Sequence, residues 1–233
     1  MIYDAVFVSD VHLGTDRCDA KKFLKFLSEL STQKLILVGD ILDVQCMEKY
    51  NTHWRKIHTQ CIHELIKLAQ RGVEIIHIFG NHEAELRRYA GFKHRNYQTF
   101  DQYVYKTKNG KKYFCIHGDK CSEYSSGSWK QFMFNWGYEF ITPLNIWTKK
   151  IFKFSLINFL KTTKRGRNYI NRYETDVAKY AAMKDKYHGV ICGHIHVGNI
   201  RQIGDITYMC CGDFVDQCSA IVEKDGKFNL INY

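Results

Sequence analysis

The segment Gly193-His194-Ile195-His196 decides the fold, because four polar segments earlier in the chain must come together with it. Each of the five directly follows a short apolar run rich in β-branched residues, which is the pattern of a buried strand. The other four are Asp10-Val11-His12, Gly39-Asp40-Ile41-Leu42-Asp43, Gly80-Asn81-His82-Glu83 and His117-Gly118-Asp119. Polar residues at successive strand ends predict a site at one edge of an α/β sheet, where such folds bind ligands.

The chemistry of these segments points to metal binding. They combine His, Asp and Asn side chains and contain no cysteine, which suits hard or borderline divalent ions. Alone, each segment is typical of a turn or a helix cap. Together they hold five of the eleven histidines, which chance placement at strand ends does not explain. The sequence therefore predicts a two-metal hydrolase, in which two ions about 3.5–4 Å apart clamp an in-line displacement.

Composition limits the remaining choices. A chain of 233 residues predicts one domain over residues 1–233. Lys and Arg (34) exceed Asp and Glu (24), which predicts an acidic partner: nucleic acid, an anionic membrane surface or phosphorylated small molecules. No stretch approaches the roughly 18 apolar residues of a spanning helix.

Cysteine usage and the N-terminal sequence predict the compartment. The nine cysteines have no regular pairing spacing, and the chain enters a strand at once, without a secretory pattern. Both features predict reduced thiols in a cytoplasmic protein. Peripheral contact with the inner face of a membrane is the alternative that the positive charge leaves open.

The early part of the chain alternates strand and helix patterns, which predicts parallel strands joined by helices. Strands are predicted at residues 2–9, 34–38 and 73–79, with a helix capped by Asp19 and a second helix over 54–71. Later, Asn109-Gly110 predicts a hairpin between strands 102–106 and 112–116, and further strands follow Ile206, with a turn at Asp225-Gly226. Together these elements predict two packed sheets covered by helices, a four-layer α/β/β/α sandwich.

The span between His117 and His194 is far longer than a crossover needs, and it predicts a helical cap at about 124–165 inserted into the domain. Its aromatic residues either line a slot for acyl chains or pack as ordinary core. From Lys149 to Arg172 there are eight cations and no acid. These either form a solvated face or serve a phosphate or an anionic leaflet. The residues predicted to bind substrate are Lys164, Arg165, Arg167 and Arg172.

The five segments resemble those of the calcineurin-like metallophosphoesterase superfamily. The resemblance implies that Asp10, His12 and His196 hold one metal, that Asn81, His117 and His194 hold the other, and that Asp40 bridges the two. It also implies that His82 faces the substrate phosphate and donates to the developing charge or the leaving group. Asp43, Glu83 and Asp119 are then expected to orient the ligands. Nitrogen and oxygen ligands allow manganese, the favoured ion, and also iron, zinc or magnesium.

Within that superfamily the chain is similar to the UDP-2,3-diacylglucosamine diphosphatase group of lipid A biosynthesis. The similarity lies in residues 9–15, in residues 212–223 and in the aromatic, basic insertion. It implies hydrolysis of UDP-2,3-diacylglucosamine, or a related sugar-nucleotide lipid, to UMP and a sugar 1-phosphate. The established enzymes of that group have arginine where this chain has His82, so the sequence resembles a histidine-bearing branch whose substrate stays open.

Two rival functions remain. A nuclease or nucleotide phosphodiesterase on the same core would also use the positive charge, but the cations accompany apolar helices rather than a polar groove. A catalytically inactive scaffold, like the retromer subunit of this fold, would not need the seven implied ligands and His82, all of which this chain keeps. The sequence therefore favours an enzyme acting on a phosphorylated small molecule or lipid.

Overall fold

A computed structural model of the chain describes residues 2–50, 54–124, 148, 155–184 and 186–233. The strands are β1 (Tyr3–Val8), β2 (Thr32–Val38), β3 (Glu74–Ile78), β4 (Lys93–His94), β5 (Tyr97–Phe100), β6 (Tyr103–Lys106), β7 (Lys112–Cys115), β8 (Gly189–Cys192), β9 (Asn199–Ile203), β10 (Ile206–Cys210), β11 (Ser219–Lys224) and β12 (Lys227–Asn232). The α-helices are α1 (Ala20–Glu29), α2 (Val44–Tyr50), α3 (Lys56–Gln70), α4 (Leu156–Thr162) and α5 (Lys164–Ala182). Short 3₁₀ helices span Ala84–Tyr89 and Asp119–Tyr124.

The strands form two sheets. The larger has the order β12-β11-β1-β2-β3-β5-β4. Strands β1, β2, β3 and β5 pair in parallel, and the β1–β11, β11–β12 and β4–β5 pairs are antiparallel. The smaller has the order β6-β7-β8-β10-β9, with a parallel centre of β7, β8 and β10. In each sheet, parallel strands end at the same edge, so both sheets present a row of strand ends.

Strand β1 shows why the sheets stack. Its side chains alternate between two cores: Val6 and Val8 join the cluster under α1 and α3, while Ala5 and Phe7 face the second sheet. Because both faces are buried, the strand reads as a continuous apolar run. Helix α5 covers the outer face of the second sheet, where Tyr173 and Val177 pack beside Val190. The four-layer α/β/β/α order is therefore confirmed.

Several local predictions are confirmed. Asp19 caps α1 through a 3.1 Å bond from the Lys22 amide to its Oδ1 atom. The turn at Asn109-Gly110 joins β6 to β7, and the turn at Asp225-Gly226 joins β11 to β12. The second predicted helix begins at Lys56 rather than at residue 54, because Arg55 is still extended, with φ −90° and ψ 154°.

One expectation needs correction: the five polar segments do not share the edge of a single sheet. Three follow β1, β2 and β3 of the larger sheet, and two follow β7 and β8 of the smaller. The apolar inner face around Phe7 and Ile36 needs a covering layer, and the second sheet supplies it together with its own polar strand ends. Helix α2 and strands β4, β5 and β9 were not anticipated from the sequence.

The predicted cap lies only partly within the described residues. From 155 to 165 the chain forms α4 and the start of α5, while most of the range 124–165 lies outside the described part. The cap and the single-domain organisation stay predictions.

None of the helices in the described part is both long and apolar enough to cross a membrane.

A buried bond between the sheets can be tested by removing one hydroxyl. Tyr105 on β6 donates a 2.6 Å bond to Glu223 on β11, and Glu223 is fully buried. We expect Tyr105→Phe to lower the free energy of unfolding by about 1–3 kcal/mol, because a buried carboxylate loses a donor. Urea unfolding of this variant and of the exposed control Tyr89→Phe measures the loss. Equal stability of the two variants would contradict the role of this bond.

Candidate metal centre

The loops at the strand ends carry an unusual backbone. Asp10, His12, Asp40, His194 and His196 all have positive φ angles, between 53° and 75°. A residue with a Cβ atom adopts this left-handed region at a cost, and such residues persist only where surrounding structure holds them. Five of them gathered at two facing rows of strand ends mark this edge as a functional site.

Backbone contacts hold these loops together. The Asp10 amide donates to Gly39 O at 3.0 Å, and the His12 amide donates to Asp40 O at 3.0 Å. Across the sheets, Asp10 Oδ2 accepts a 2.9 Å bond from the His194 amide. Gly39, with φ +84°, has no room for a side chain, because a Cβ atom there would collide with the His117 ring. The loops therefore fix one another before any ligand binds.

The first group consists of Asp10, His12 and His196, whose potential ligand atoms lie within 4.8 Å of one another. The two histidine Nε2 atoms are 3.4 Å apart, and Asp10 Oδ1 is 3.3 Å from His196 Nε2. The Nδ1 atom of His12 bonds to Asp43 at 2.9 Å, and that of His196 bonds to Asp213 at 3.2 Å. A carboxylate can only accept, so each Nδ1 donates and each Nε2 presents a lone pair.

That arrangement fits a cation. Two imidazole lone pairs and a carboxylate oxygen converge with no donor among them, and within the described part of the chain Asp10 Oδ1 has no hydrogen bond. Acceptors repel one another unless a positive charge lies between them. Histidines whose other nitrogen donates to a carboxylate are the usual form of metal-ligating imidazole. The residues of the first group therefore suit a divalent ion.

The second group also brings potential metal ligands close together. His117 Nδ1 faces the carbonyl oxygen of Val38 at 3.0 Å, so it donates there. His117 Nε2 then lies 3.1 Å from Asp40 Oδ2 and 3.1 Å from Asn81 Oδ1. The ligand atoms of Asp40, His117 and His194 lie within 4.8 Å of one another. These distances join Asp40 to the second group, while its bridging role stays a prediction.

Charge in the second group also favours a cation. Burial alone would lower the pKa of His117, but the carboxylates of Asp40, Asp10 and Asp119 together outweigh burial, with Asp40 contributing most, and raise it well above its usual range. Burial and the neighbouring His117 lower the pKa of His194 to about 4, which keeps that imidazole neutral and able to coordinate. The pocket thus favours one positive charge among its ligands, and a metal ion would supply it.

Two of the three predicted orienting residues contact the implied ligands. Asp43 accepts from His12 Nδ1 at 2.9 Å and lies 2.7 Å from His82 Nδ1. Glu83, fully buried, accepts from the Asp40, Leu42 and Gly80 amides at 2.9–3.1 Å and lies 3.0 Å from His77 Nε2. The third, Asp119, pairs with Arg87 at 2.7 Å.

His82 stands apart from the two groups as a reachable imidazole. Its side chain is 19% exposed, whereas that of His117 is fully buried. Burial would lower the pKa of His82, but hydrogen bonds with Asp43 and Cys46 and the charge of Asp40 raise it to about 10. The ligand atoms of His12, Asp43 and His82 also lie within 4.8 Å of one another. A metal there would break both bonds to Asp43, so this trio is better suited to orientation.

The structure adds one residue, Asp213, that the sequence did not identify as part of the site. Asp213 bonds to His196 and accepts from the amides of Val215, Asp216 and Gln217 at 2.7–3.1 Å. Its signal was present, since Gly212-Asp213 repeats the Gly-Asp pattern of residues 39–40 after a strand.

The four cationic residues predicted to bind substrate are all exposed to solvent. Lys164, Arg165, Arg167 and Arg172 are exposed on α5. Their role in substrate binding stays a prediction. Lys161, from the same cationic run, donates instead to the carbonyl oxygen of His196 at 2.7 Å.

Comparison with known proteins is informative at the level of family and fold. The sequence matches the family described as "Calcineurin-like phosphoesterase" over residues 4–198. The fold is similar to that of an archaeal phosphodiesterase (TM-score 0.51, 12% identity, 98% of this chain and 99% of that chain). It is also similar to a dimetal phosphatase from Danio rerio (TM-score 0.50, 12% identity, 98% and 95%). At such identities the two structures show a shared fold alone. No curated protein sequence matches the chain.

The role of Glu83 gives a test of how the loops are held. In Glu83→Gln an amide NH₂ replaces one oxygen and must face backbone amides that also donate. We expect unfolding to become easier by about 3 kcal/mol, because hydrogen bonds to a buried charged acceptor are lost. Thermal and urea unfolding of the metal-free protein measure this, with the exposed neighbour Glu85→Gln as control. A Glu83→Gln protein as stable as its control would show that Glu83 does not organise these loops.

Proposed function

The chain belongs to the calcineurin-like phosphoesterase family, and we propose from this premise that it hydrolyses a phosphoric anhydride in a sugar-nucleotide lipid. Family membership makes the protein a metal-dependent hydrolase of phosphoesters. The family match does not identify which phosphoester or anhydride the enzyme cleaves. The observation that supports hydrolysis at this edge is the convergence of acceptor atoms without a donor in the first group, together with a second group of potential metal ligands.

We assign Asp10, His12 and His196 to one ion and Asn81, His117 and His194 to the other, with Asp40 between them. Two bound divalent ions would polarise the phosphoryl oxygens and lower the pKa of water at the site. Asp10 and Asp40 are the only carboxylates in this ligand set. The protein therefore neutralises only part of the charge of two dications, which leaves the loaded site attractive to an anionic phosphate.

His82 is the residue we assign to proton transfer and charge stabilisation. Its Nδ1 atom is held by Asp43 at 2.7 Å, which fixes the ring and stabilises the imidazolium form. The other ring nitrogen can then donate to the phosphoryl group as negative charge develops, or protonate the leaving oxygen. Asp43 orients both His82 and the implied metal ligand His12, because its two oxygen atoms each contact one of these rings.

UDP-2,3-diacylglucosamine is the substrate we propose. Support comes from the similarity of residues 9–15 and 212–223 to the lipid A group and from the basic helix α5. Water would add to the α-phosphorus and the anhydride bond would break, giving UMP and a diacylglucosamine 1-phosphate. Manganese is the ion we favour. A membrane-facing, cytoplasmic location would bring the enzyme to such a lipid.

A second candidate is a phosphodiesterase or nuclease acting on nucleotides or nucleic acid. It is favoured by His82, which replaces the arginine of the established lipid A enzymes, and by the net charge of +10. An inactive scaffold is a remote third candidate, since nothing in its role would require two groups of potential metal ligands.

Replacing His82 tests its assignment. We expect His82→Ala to lower kcat about 10²–10⁴-fold, because general acid–base groups contribute that much, while metal stoichiometry stays the same. Steady-state kinetics and metal analysis of the purified protein provide the two readouts. His63→Ala, at an exposed position on α3, is the control and should retain full activity. Full activity in His82→Ala would remove this residue from the mechanism.

The substrate is tested by direct comparison. Manganese-loaded protein would be assayed with UDP-2,3-diacylglucosamine and with bis-p-nitrophenyl phosphate under the same conditions. Release of UMP far faster than cleavage of the generic diester is the expected result. Turnover of the generic diester alone would retain hydrolysis, exclude the lipid substrate and favour nucleotides or nucleic acid.

A further inference from the structure

The return segment Gly193–His196 depends on support from outside its own loop. His194 and His196 have φ angles of +75° and +54°, a left-handed backbone that side chains other than glycine rarely adopt. Both residues are implied ligands, one in each group. Whatever holds this backbone therefore sets the direction of a ligand to each ion.

Tyr173 of α5 supports the first half of the segment. Its hydroxyl donates a 3.2 Å bond to the carbonyl oxygen of Gly193, and its side chain is buried, with 3% exposure. The ring lies 5.8 Å from the His194 ring. The same hydroxyl occupies the space beside Gly118, where a Cβ atom would collide with it. Tyr173 thus contacts and supports the loops that carry His194 and His117.

Lys161 of α4 supports the second half. Its Nζ atom donates a 2.7 Å bond to the carbonyl oxygen of His196, whose ring is held from the other side by Asp213. A second contact fixes this helix nearby, since Ser155 Oγ donates to Asp216 Oδ2 at 3.3 Å. The two helices therefore donate hydrogen bonds to the carbonyl groups of Gly193 and His196, at either end of the segment.

We propose that Lys161 and Tyr173 are positioning residues that hold His194 and His196 in the conformation that binds metal. The proposal rests on the ligand assignment above and extends it to the helices α4 and α5, which lie between His117 and His194 in the chain. These helices then orient the metal ligands through hydrogen bonds to the backbone, in addition to any contact with substrate.

The charge of Lys161 allows a positioning role to be distinguished from a purely electrostatic role. A fixed ammonium close to a dication repels it, so charge alone predicts that removing Lys161 would tighten metal binding. Positioning predicts the opposite, because the His196 carbonyl would lose its donor and the loop would relax. Loss of partners that orient metal ligands typically weakens affinity about 10–100-fold.

The experiment is a calorimetric titration of metal-free protein with Mn²⁺, together with its thermal unfolding in the absence of metal. Lys161→Met keeps length without the donor, and Tyr173→Phe keeps the ring without the hydroxyl. The controls Lys179→Met and Tyr89→Phe make the same changes at exposed positions. We expect both test variants to bind Mn²⁺ about tenfold more weakly than their controls, with Lys161→Arg restoring the affinity.

Other outcomes would overturn the proposal. Unchanged or tighter Mn²⁺ binding by Lys161→Met and Tyr173→Phe would exclude positioning, and a fall in metal-free stability alone would leave a purely structural role. A raised KM for substrate with unchanged Mn²⁺ affinity would assign Lys161 to substrate contact instead. Wild-type protein that binds no Mn²⁺ would refute the ligand assignment itself, which distinguishes that failure from failure of the positioning role.

Discussion

The site depends on one physical constraint: two imidazole rings are held with their lone pairs close together. His12 and His196 each donate their Nδ1 proton to a carboxylate, so their Nε2 atoms face each other at 3.4 Å as acceptors, with Asp10 Oδ1 beside them. A folded chain keeps such an arrangement only if something positive belongs there. Asp43 and Asp213, which fix the two rings, are therefore as necessary to the site as the atoms that would touch a metal.

The architecture follows from the need to bring these atoms together. One sheet supplies His12 and Asp40, and the other supplies His117 and His196, so the site exists only where two sheets are stacked. The inner core around Phe7 sets that stacking. The left-handed residues at the strand ends then bring side chains of the two sheets close to one another. Backbone bonds between the loops, and the carboxylate of Glu83, hold this costly geometry.

Much of this could be predicted from the sequence, because the decisive features are local. Polar residues directly after apolar runs indicated the strand ends, and the turn at Asn109-Gly110 indicated its hairpin. Tyr173 and Lys161 could not be found in this way, since their partners lie 20 and 35 positions away and no sequence period marks them. Strand β4, with two residues, is too short to show an alternation.

The most direct test of a two-metal centre is a crystal structure of the manganese-loaded protein with anomalous scattering data. We expect two anomalous peaks per chain, about 3.5–4 Å apart, one beside Asp10, His12 and His196 and one beside Asn81, His117 and His194. Asp40 should lie between them. A single peak, or a peak held by His12, Asp43 and His82 in place of these groups, would contradict the assignment of ligands on which the proposed hydrolysis rests.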